Sequence, residues 1–304
     1  MLDLPDHPAA LPATDTRALA RQLARAARAE AAPWLHQEVA RRMAERLPVI
    51  KQPPDTWLDW WGFTGGSAAS VAAVWPQALR SVAEPTEALA ECSRQALQAP
   101  WWSWGQRRRD AAQTVSLSAQ VPDGSAQMLW ANLVLHSAAD PAVLLARWHR
   151  ALAVDGFLMF STFGPDTLRE LRAVYAQAGW PAPHPPYADM HDLGDAMVQA
   201  GFADPVMDQE PLQLTWSSPR AMLDELRGLG GHLGLQRFAG CRTPRWRDRL
   251  LAALAERADA QGRIRMTFEL VYGHAYKPLP RPGRGDPVTV SLAAVRATLP
   301  RRAR

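Results

Sequence analysis

From Thr56 to Ala178, short apolar runs alternate with longer stretches of helical spacing. Residues 56–60 form a brief apolar run, and a second run covers 79–83. Residues 128–135 and 157–162 are apolar without alternation, the pattern of strands covered on both faces. Val115 and Leu117 mark a further short strand. Between these runs the spacing predicts helices over 67–75, from the Glu84-Pro85-Thr86-Glu87 start to about 98, over 140–153 and over 167–178. Asp140 caps the third of these and Pro141 occupies its first turn; Val154-Asp155-Gly156 reads as its exit. After the proline-rich stretch 181–187, the pattern gives a helix at 190–201, an alternating strand at 206–216, helices at 219–229 and about 245–259, and a last alternating strand at 263–276. Two helices precede the first strand. One runs over 15–32 with Leu19 and Leu23 on a face, and Pro33 breaks it; the other runs over 34–47 with Leu35, Val39, Met43 and Leu47 four apart. The pattern as a whole predicts an α/β fold with a doubly wound, mostly parallel sheet.

One stretch holds the candidate chemistry. Thr56-Trp-Leu-Asp-Trp-Trp-Gly-Phe-Thr-Gly-Gly66 reads as a strand, a glycine-bearing turn and the start of a helix. In open α/β sheets the first such turn is where a nucleotide-like cofactor sits. Glycine lets the backbone approach a ligand and take positive φ. Gly62, Gly65 and Gly66 are there, with Trp60, Trp61 and Phe63 crowded among them. Two arrangements follow: a shortened turn with Trp60 and Trp61 packed into the sheet, or aromatic rings that close the cofactor volume.

Composition narrows the function classes. At 304 residues and 47% hydrophobic, residues 15–276 form one sizeable domain. Residues 1–14, rich in Pro and Ala, are expected to be disordered, and 277–304 to form a flexible basic tail. Two cysteines, Cys92 and Cys241, build neither a disulfide framework nor a cysteine metal site. The eight histidines are scattered, so no metal is expected. No apolar run is long enough to span a membrane and no signal peptide is seen, so a cytoplasmic protein is expected. The charge of +4 lies largely in arginines. Trp101, Trp102 and Trp104 stand beside Arg107, Arg108 and Arg109. Aromatic-basic clusters of this kind stack bases in nucleic-acid binders, but no RNA-binding motif accompanies this one. A space-filling or interface role is expected instead.

Several segments then carry a family resemblance: Ala131-Asn132-Leu-Val-Leu-His136, Leu152-Ala-Val-Asp-Gly156, Phe160-Ser-Thr-Phe-Gly-Pro-Asp-Thr-Leu-Arg-Glu-Leu171, Asp189-Met-His-Asp-Leu-Gly-Asp195, Leu214-Thr-Trp-Ser-Ser-Pro-Arg220 and Gly262-Arg-Ile-Arg-Met-Thr-Phe-Glu-Leu-Val-Tyr272. Together they resemble the malonyl-acyl-carrier-protein O-methyltransferases of biotin biosynthesis, a branch of the class I S-adenosylmethionine-dependent methyltransferases. The resemblance implies a seven-stranded Rossmann-like sheet with an antiparallel last strand, N-terminal helices and a helical lid, placed here near 15–47, 181–201 and 217–260. It implies S-adenosylmethionine as cofactor, with Asp59, Gly62, Gly65, Glu84 and Asn132 on the cofactor side and Glu84 holding the ribose hydroxyls. It implies methyl transfer to a malonyl carboxylate, for which no general base is required. His136, Arg169, Tyr175, Tyr187 and His191 are the candidates for substrate binding, and acyl carrier protein or another acidic protein is the expected partner. Against the family pattern D-x-G-x-G-x-G, Trp61 and Phe63 stand at the first two glycine positions. The acidic residue after strand three falls near Leu117 and Ser118, and the aspartate opening strand four falls at Gln127. The residues therefore leave two readings: a methyltransferase, or a non-catalytic relative that acts as an interaction or regulatory partner.

Overall fold

The computed structural model describes residues 11–97, 113–238 and 240–280. The Trp101 to Arg109 stretch and most of the expected basic tail lie outside them. Two helices, α1 (Thr16–Ala26) and α2 (Trp34–Ala44), come first. The sheet region then runs β1 (Thr56–Trp60), the one-turn helix α3 (Gly62–Gly65), α4 (Ala68–Val74), β2 (Leu79–Glu84), α5 (Glu87–Ala96), β3 (Thr114–Leu117), β4 (Ala126–Asn132), α6 (Pro141–Ala151), β5 (Leu152–Phe163) and α7 (Arg169–Gln177). The chain ends with α8 (Met190–Gln199), β6 (Ala203–Trp216), α9 (Pro219–Leu229), α10 (Pro244–Ala255) and β7 (Ile264–Tyr276).

These strands form one seven-stranded sheet in the order β3-β2-β1-β4-β5-β7-β6. β1 to β5 run parallel to one another, and β7 lies antiparallel between β5 and β6. The doubly wound sheet is as the residue pattern predicts, and its antiparallel closing strand is as the family resemblance implies. The order reverses between β1 and β4, and in such sheets ligands bind beyond the strand ends at that reversal.

Side chains alternate between the two faces of a strand, and the two cores follow from this. Trp57, Met128 and Trp130 join α2's Leu35, Val39, Met43 and nearby Leu47 in one cluster. Leu58, Trp60, Leu129 and Ala131 join α6's Leu145 and Trp148 in the other. Trp60 meets Trp148 edge-on at 6.3 Å, and Trp148 lies 6.0 Å from Phe160. Part of the unusual tryptophan content is thus core packing. The Phe160 ring lies over Gly273, its partner on β7, where a Cβ would come within 2.1 Å of it.

Several elements depart from the bounds that the residue pattern predicts. The first helix ends at Ala26, short of Pro33. Strand β4 ends at Asn132, because Leu133 turns left-handed (φ 53°) and residues 135–137 form a 3-10 turn. Residues 154–156 belong to β5 rather than to a helix exit, with Asp155 at φ 62°. Thr14, inside the stretch expected to be disordered, is buried, and its hydroxyl donates to the Ser137 and Ala138 carbonyls. The folded body therefore begins before residue 15. No described helix is long and apolar enough to cross a membrane, and no described group of His, Cys, Asp and Glu is arranged to hold a metal.

Candidate active site

Strand β1 delivers Trp60 into the core and then changes direction at Trp61. Trp61 takes φ 58° and ψ 48°, the left-handed conformation that the family's glycine suits. Its N–H donates to the Ala83 carbonyl at 2.7 Å, and its carbonyl accepts from the Gly65 N–H at 2.9 Å. The single turn of α3 is closed by Gly66 at φ 64°. Gly62 cannot be larger: a Cβ there would lie 2.7 Å from Arg80 and 2.8 Å from Asp59.

Asp59 is fully buried under this turn. Its Oδ2 accepts from Arg80 Nε at 2.9 Å and Nη2 at 2.6 Å, while Oδ1 has no partner. Asp59 thus ties β1 to Arg80 on β2 and lies close beneath Gly62. Glu84, at the end of β2, is also buried. Its Oε1 accepts from the Phe63 N–H at 2.8 Å and from Ser93 Oγ at 2.6 Å, and Oε2 has no partner. Burial pushes its carboxyl up to about 7, above the usual carboxylate range. A buried acceptor without a donor is costly by itself, and an incoming hydroxyl would satisfy it.

Asn132 fixes the turn from the other side. Its Nδ2 donates to the carbonyls of Gly65 and His36, both at 2.7 Å, and its Oδ1 accepts from Ser161 Oγ at 2.6 Å. The side chain is fully engaged, so it positions the turn rather than facing a ligand. His36 repeats the tie: its Nδ1 lies 2.8 Å from the Thr64 carbonyl. Burial lowers this imidazole to about 4. It is therefore neutral, with Nδ1 protonated to donate to that carbonyl.

A cavity of about 410 Å³ stands over the turn, lined in part by Trp61, Phe63, Thr64, Leu133, His36 and His136. Trp61 and Phe63 border this space and do not fill it. Of the two arrangements left open by the residues, the closed one is therefore corrected. The shortened turn holds for Trp60, which packs into the core, whereas Trp61 is half-buried and faces the cavity wall. A second cavity, about 380 Å³, adjoins the first and shares Gln22, Arg25, His136, Ser137 and Arg227 with it. His136 sits on the 3-10 turn after β4, between Phe163 (4.6 Å) and Tyr187 (5.8 Å), and its Nδ1 is 3.4 Å from Thr162 Oγ1. That enclosure holds the imidazole well below its ordinary range, so it is uncharged at neutral pH.

Tyr175 and Tyr187 line the second cavity with His136. Arg169 and His191 do not join them. Arg169 is exposed and pairs with Asp166 and Glu170, and His191 is exposed at the start of α8. Neither lines either cavity. The sequence reading missed His36, Arg25, Arg227 and Leu133. For Arg25 a signal existed in the i, i+4 spacing of Arg17, Arg21 and Arg25 along α1. The other departures have structural duties: Gln127 accepts from the Asp55 and Thr56 N–H groups, and Ser118 Oγ donates to the Glu84 carbonyl.

Comparison with known proteins agrees with this geometry. The family described as "Methyltransferase domain" matches residues 21–204. The malonyl-[acyl-carrier protein] O-methyltransferase of Laribacter hongkongensis is 37% identical over 265 residues, covering 85% of this chain and 88% of that protein. The protein of the same name from Gallionella capsiferriformans is 36% identical, covering 89% and 93%. Among solved structures, the YcgJ protein of Bacillus subtilis superposes with a TM-score of 0.51 at 11% identity, covering 78% of this chain and 98% of that one, a likeness of fold alone. On its sequence, this chain belongs to the malonyl-[acyl-carrier protein] O-methyltransferase family.

Proposed function

We propose that this chain transfers the methyl group of S-adenosylmethionine to the free carboxylate of a malonyl thioester held on acyl carrier protein. The observation that supports this reading is the open cavity over the Trp61 to Gly66 turn, joined at His136 and Arg25 to a second cavity. A closed turn would favour a non-catalytic relative; an open one does not.

The residues present fit the cofactor. The turn keeps its left-handed entry at Trp61, Glu84 Oε2 is a buried acceptor without a donor, and the cavity is of a size that holds small molecules. In this reading Glu84, held against the Phe63 N–H beneath the cavity wall, is the acceptor for the ribose hydroxyls, Trp61, Phe63 and Thr64 of the turn face the cofactor, and Asn132 keeps the turn in place. When bound, S-adenosylmethionine supplies an electrophilic methyl group on a sulfonium.

The chain's own task is positional. A malonyl carboxylate is already deprotonated at neutral pH, so its oxygen needs no base. Attack forms an oxygen–carbon bond as the sulfur–carbon bond breaks, and holding the two partners in line supplies most of the acceleration. Arg25, which borders both cavities and has no carboxylate partner among the described residues, brings positive charge to the junction where the carboxylate must lie, while Arg227 beside it is paired with Asp224. Neutral His136, with Tyr187 and Phe163 around it, walls the junction and excludes water.

The test is to incubate the purified protein with S-adenosylmethionine and malonyl-acyl carrier protein. Mass spectrometry should show a methyl ester on the acyl group and demethylated cofactor in equal amount. Absence of cofactor binding by calorimetry at millimolar concentration, or cofactor binding without ester formation, sinks the reading.

A further inference from the structure

A third cavity, about 610 Å³, lies outward of the second and shares Arg25, Tyr175, Pro183 and His232 with it. Arginines dominate its wall: Arg21, Arg25, Arg28, Arg237 and Arg242 all line it, and no acidic side chain does. Arg21 and Arg25 are one turn apart on α1, and Arg28, in the turn just past the helix end, lines the same cavity. Arg237 is held by Asp15 through two hydrogen bonds. Arg242 stacks between Phe238 (3.8 Å) and Trp246 (4.6 Å), which fixes its plane. Arg21, Arg25, Arg28 and Arg242 have no carboxylate partner among the described residues. Elsewhere in the protein arginines commonly do: Arg41, Arg42, Arg46, Arg80, Arg94 and Arg147 each pair with one.

Unpaired guanidiniums gathered around one concavity repel each other, and an oxyanion relieves that repulsion with charge-assisted hydrogen bonds. The shape narrows which anion. Inward of the arginines the second cavity is walled by apolar groups, including Phe163, Leu171, Leu223, Leu226 and Phe268, and it ends at His136. A free inorganic anion has no use for such a passage, and a nucleic-acid backbone cannot thread it. The arrangement fits a ligand with a phosphate at its outer end and a long uncharged arm leading inward. Resting on the function proposed above, we infer that Arg21, Arg28 and Arg242 form a subsite for the phosphodiester of the carrier protein's pantetheine arm. The arm then runs past Tyr175 and delivers the thioester to the junction at Arg25 and His136.

The test titrates the full-length protein with 4′-phosphopantetheine and with pantetheine, which lacks the phosphate. The phosphate-bearing probe is expected to bind about tenfold or more tightly, as for a charge-assisted contact. Arg21→Gln/Arg28→Gln and, separately, Arg242→Gln should remove most of that preference and leave pantetheine binding unchanged; thermal melts check that each variant folds. In turnover, the same variants should raise KM for malonyl-acyl carrier protein about tenfold and leave kcat with malonyl-pantetheine as it is. Equal binding of the two probes by the unaltered protein overturns the inference. So does a variant whose KM for the carrier rises while its phosphopantetheine affinity is unchanged, since the arginines then read the carrier's surface. If neither thioester is methylated, the proposed function fails, and the titration still decides the subsite.

Discussion

Glu84 Oε1 accepts the backbone N–H of Phe63 at 2.8 Å, so the end of β2 holds the middle of the turn that follows β1. This bond links a carboxylate, through one peptide group, to the wall of the cavity. It also leaves Oε2 buried and without a donor.

That geometry sets a pH-dependent cost. Burial raises the Glu84 carboxyl from 4.5 to about 7. The folded state then binds the proton more tightly than the unfolded state. Its contribution to stability is present below about pH 4.5 and is lost as pH rises through about 7, a change of about 3 kcal/mol. Glu84→Gln keeps an acceptor for Phe63 and removes the charge. The variant should melt higher than the parent at about pH 8 and show little gain at about pH 5. Its affinity for S-adenosylmethionine should fall roughly ten- to hundredfold, the value of a charged hydrogen bond. Paired thermal melts and calorimetric titrations check both; an equal shift in melting at both pH values contradicts the account.

Asn132 offers a sharper substitution. Its amide donates to two carbonyls, Gly65 and His36, inside a buried site. Asn132→Ala strands those carbonyls and should cost about 3 kcal/mol. Asn132→Asp should be worse at neutral pH, because a carboxylate then faces two carbonyl oxygens. Such a carboxyl folds only protonated, so its pKa rises on folding. Stability is retained below the unfolded value near 4 and lost as pH rises. Urea titrations of the two variants across pH should cross, with Asp the more stable only in acid.

How much of this was legible in the sequence depends on whether local or distant contacts decide each feature. The strands were legible because their apolar runs reflect burial on both faces, and 56–60 fell on β1 to the residue. Glu84 and Asn132, the last residues of β2 and β4, could be named through the family resemblance. Leu133's left-handed turn could not, because nothing local requires it; the Leu133 N–H is instead drawn to Ser161 on the adjacent strand at 3.0 Å. The openness of the turn was equally hidden. Whether the rings of Trp61 and Phe63 plug or line a cavity depends on where α1, α2 and α9 place their side chains, all remote in sequence. For Arg169 the distant placement decided the outcome likewise: it pairs with Asp166 and Glu170 and lines neither cavity.

Trp61 holds a conformation that costs a residue with a Cβ about 1–2 kcal/mol. Replacing it separates that strain from the loss of the indole. Trp61→Ala and Trp61→Gly both lose the half-buried ring, but only glycine relaxes the backbone. Glycine also loses more entropy on folding, about 0.5–1 kcal/mol, which offsets part of the gain. Trp61→Gly should therefore be the more stable of the two by up to about 1 kcal/mol, against the usual order for these residues. Denaturant midpoints at constant slope measure the difference. Alanine equal to or better than glycine would mean that the turn relaxes out of the left-handed region.

The two histidines around the cavity predict the behaviour in acid. His36 is buried at the cavity wall, and burial lowers its imidazole from 6.5 to about 4; His136 is lowered in the same direction by its burial. A base whose folded pKa lies below its unfolded value favours unfolding once the medium can protonate it. The stability that neutral His36 contributes is complete above about pH 6.5 and is lost as pH falls toward 4, up to about 3 kcal/mol from this residue. The opposite slope of Glu84 acts in the overlapping window from about 4.5 to 7, so the parent protein should show a broad stability maximum and not a single edge. His36→Asn isolates the histidine share. Its amide can still donate to the Thr64 carbonyl, now at 2.8 Å from His36 Nδ1, but it does not titrate. The variant should be less acid-sensitive than the parent between about pH 6.5 and 4, and only the Glu84 slope, rising toward acid, should remain prominent there. Urea midpoints across that range decide the matter, and parallel curves for the two proteins would show that His36 stays neutral in the unfolded chain or is already charged in the folded one.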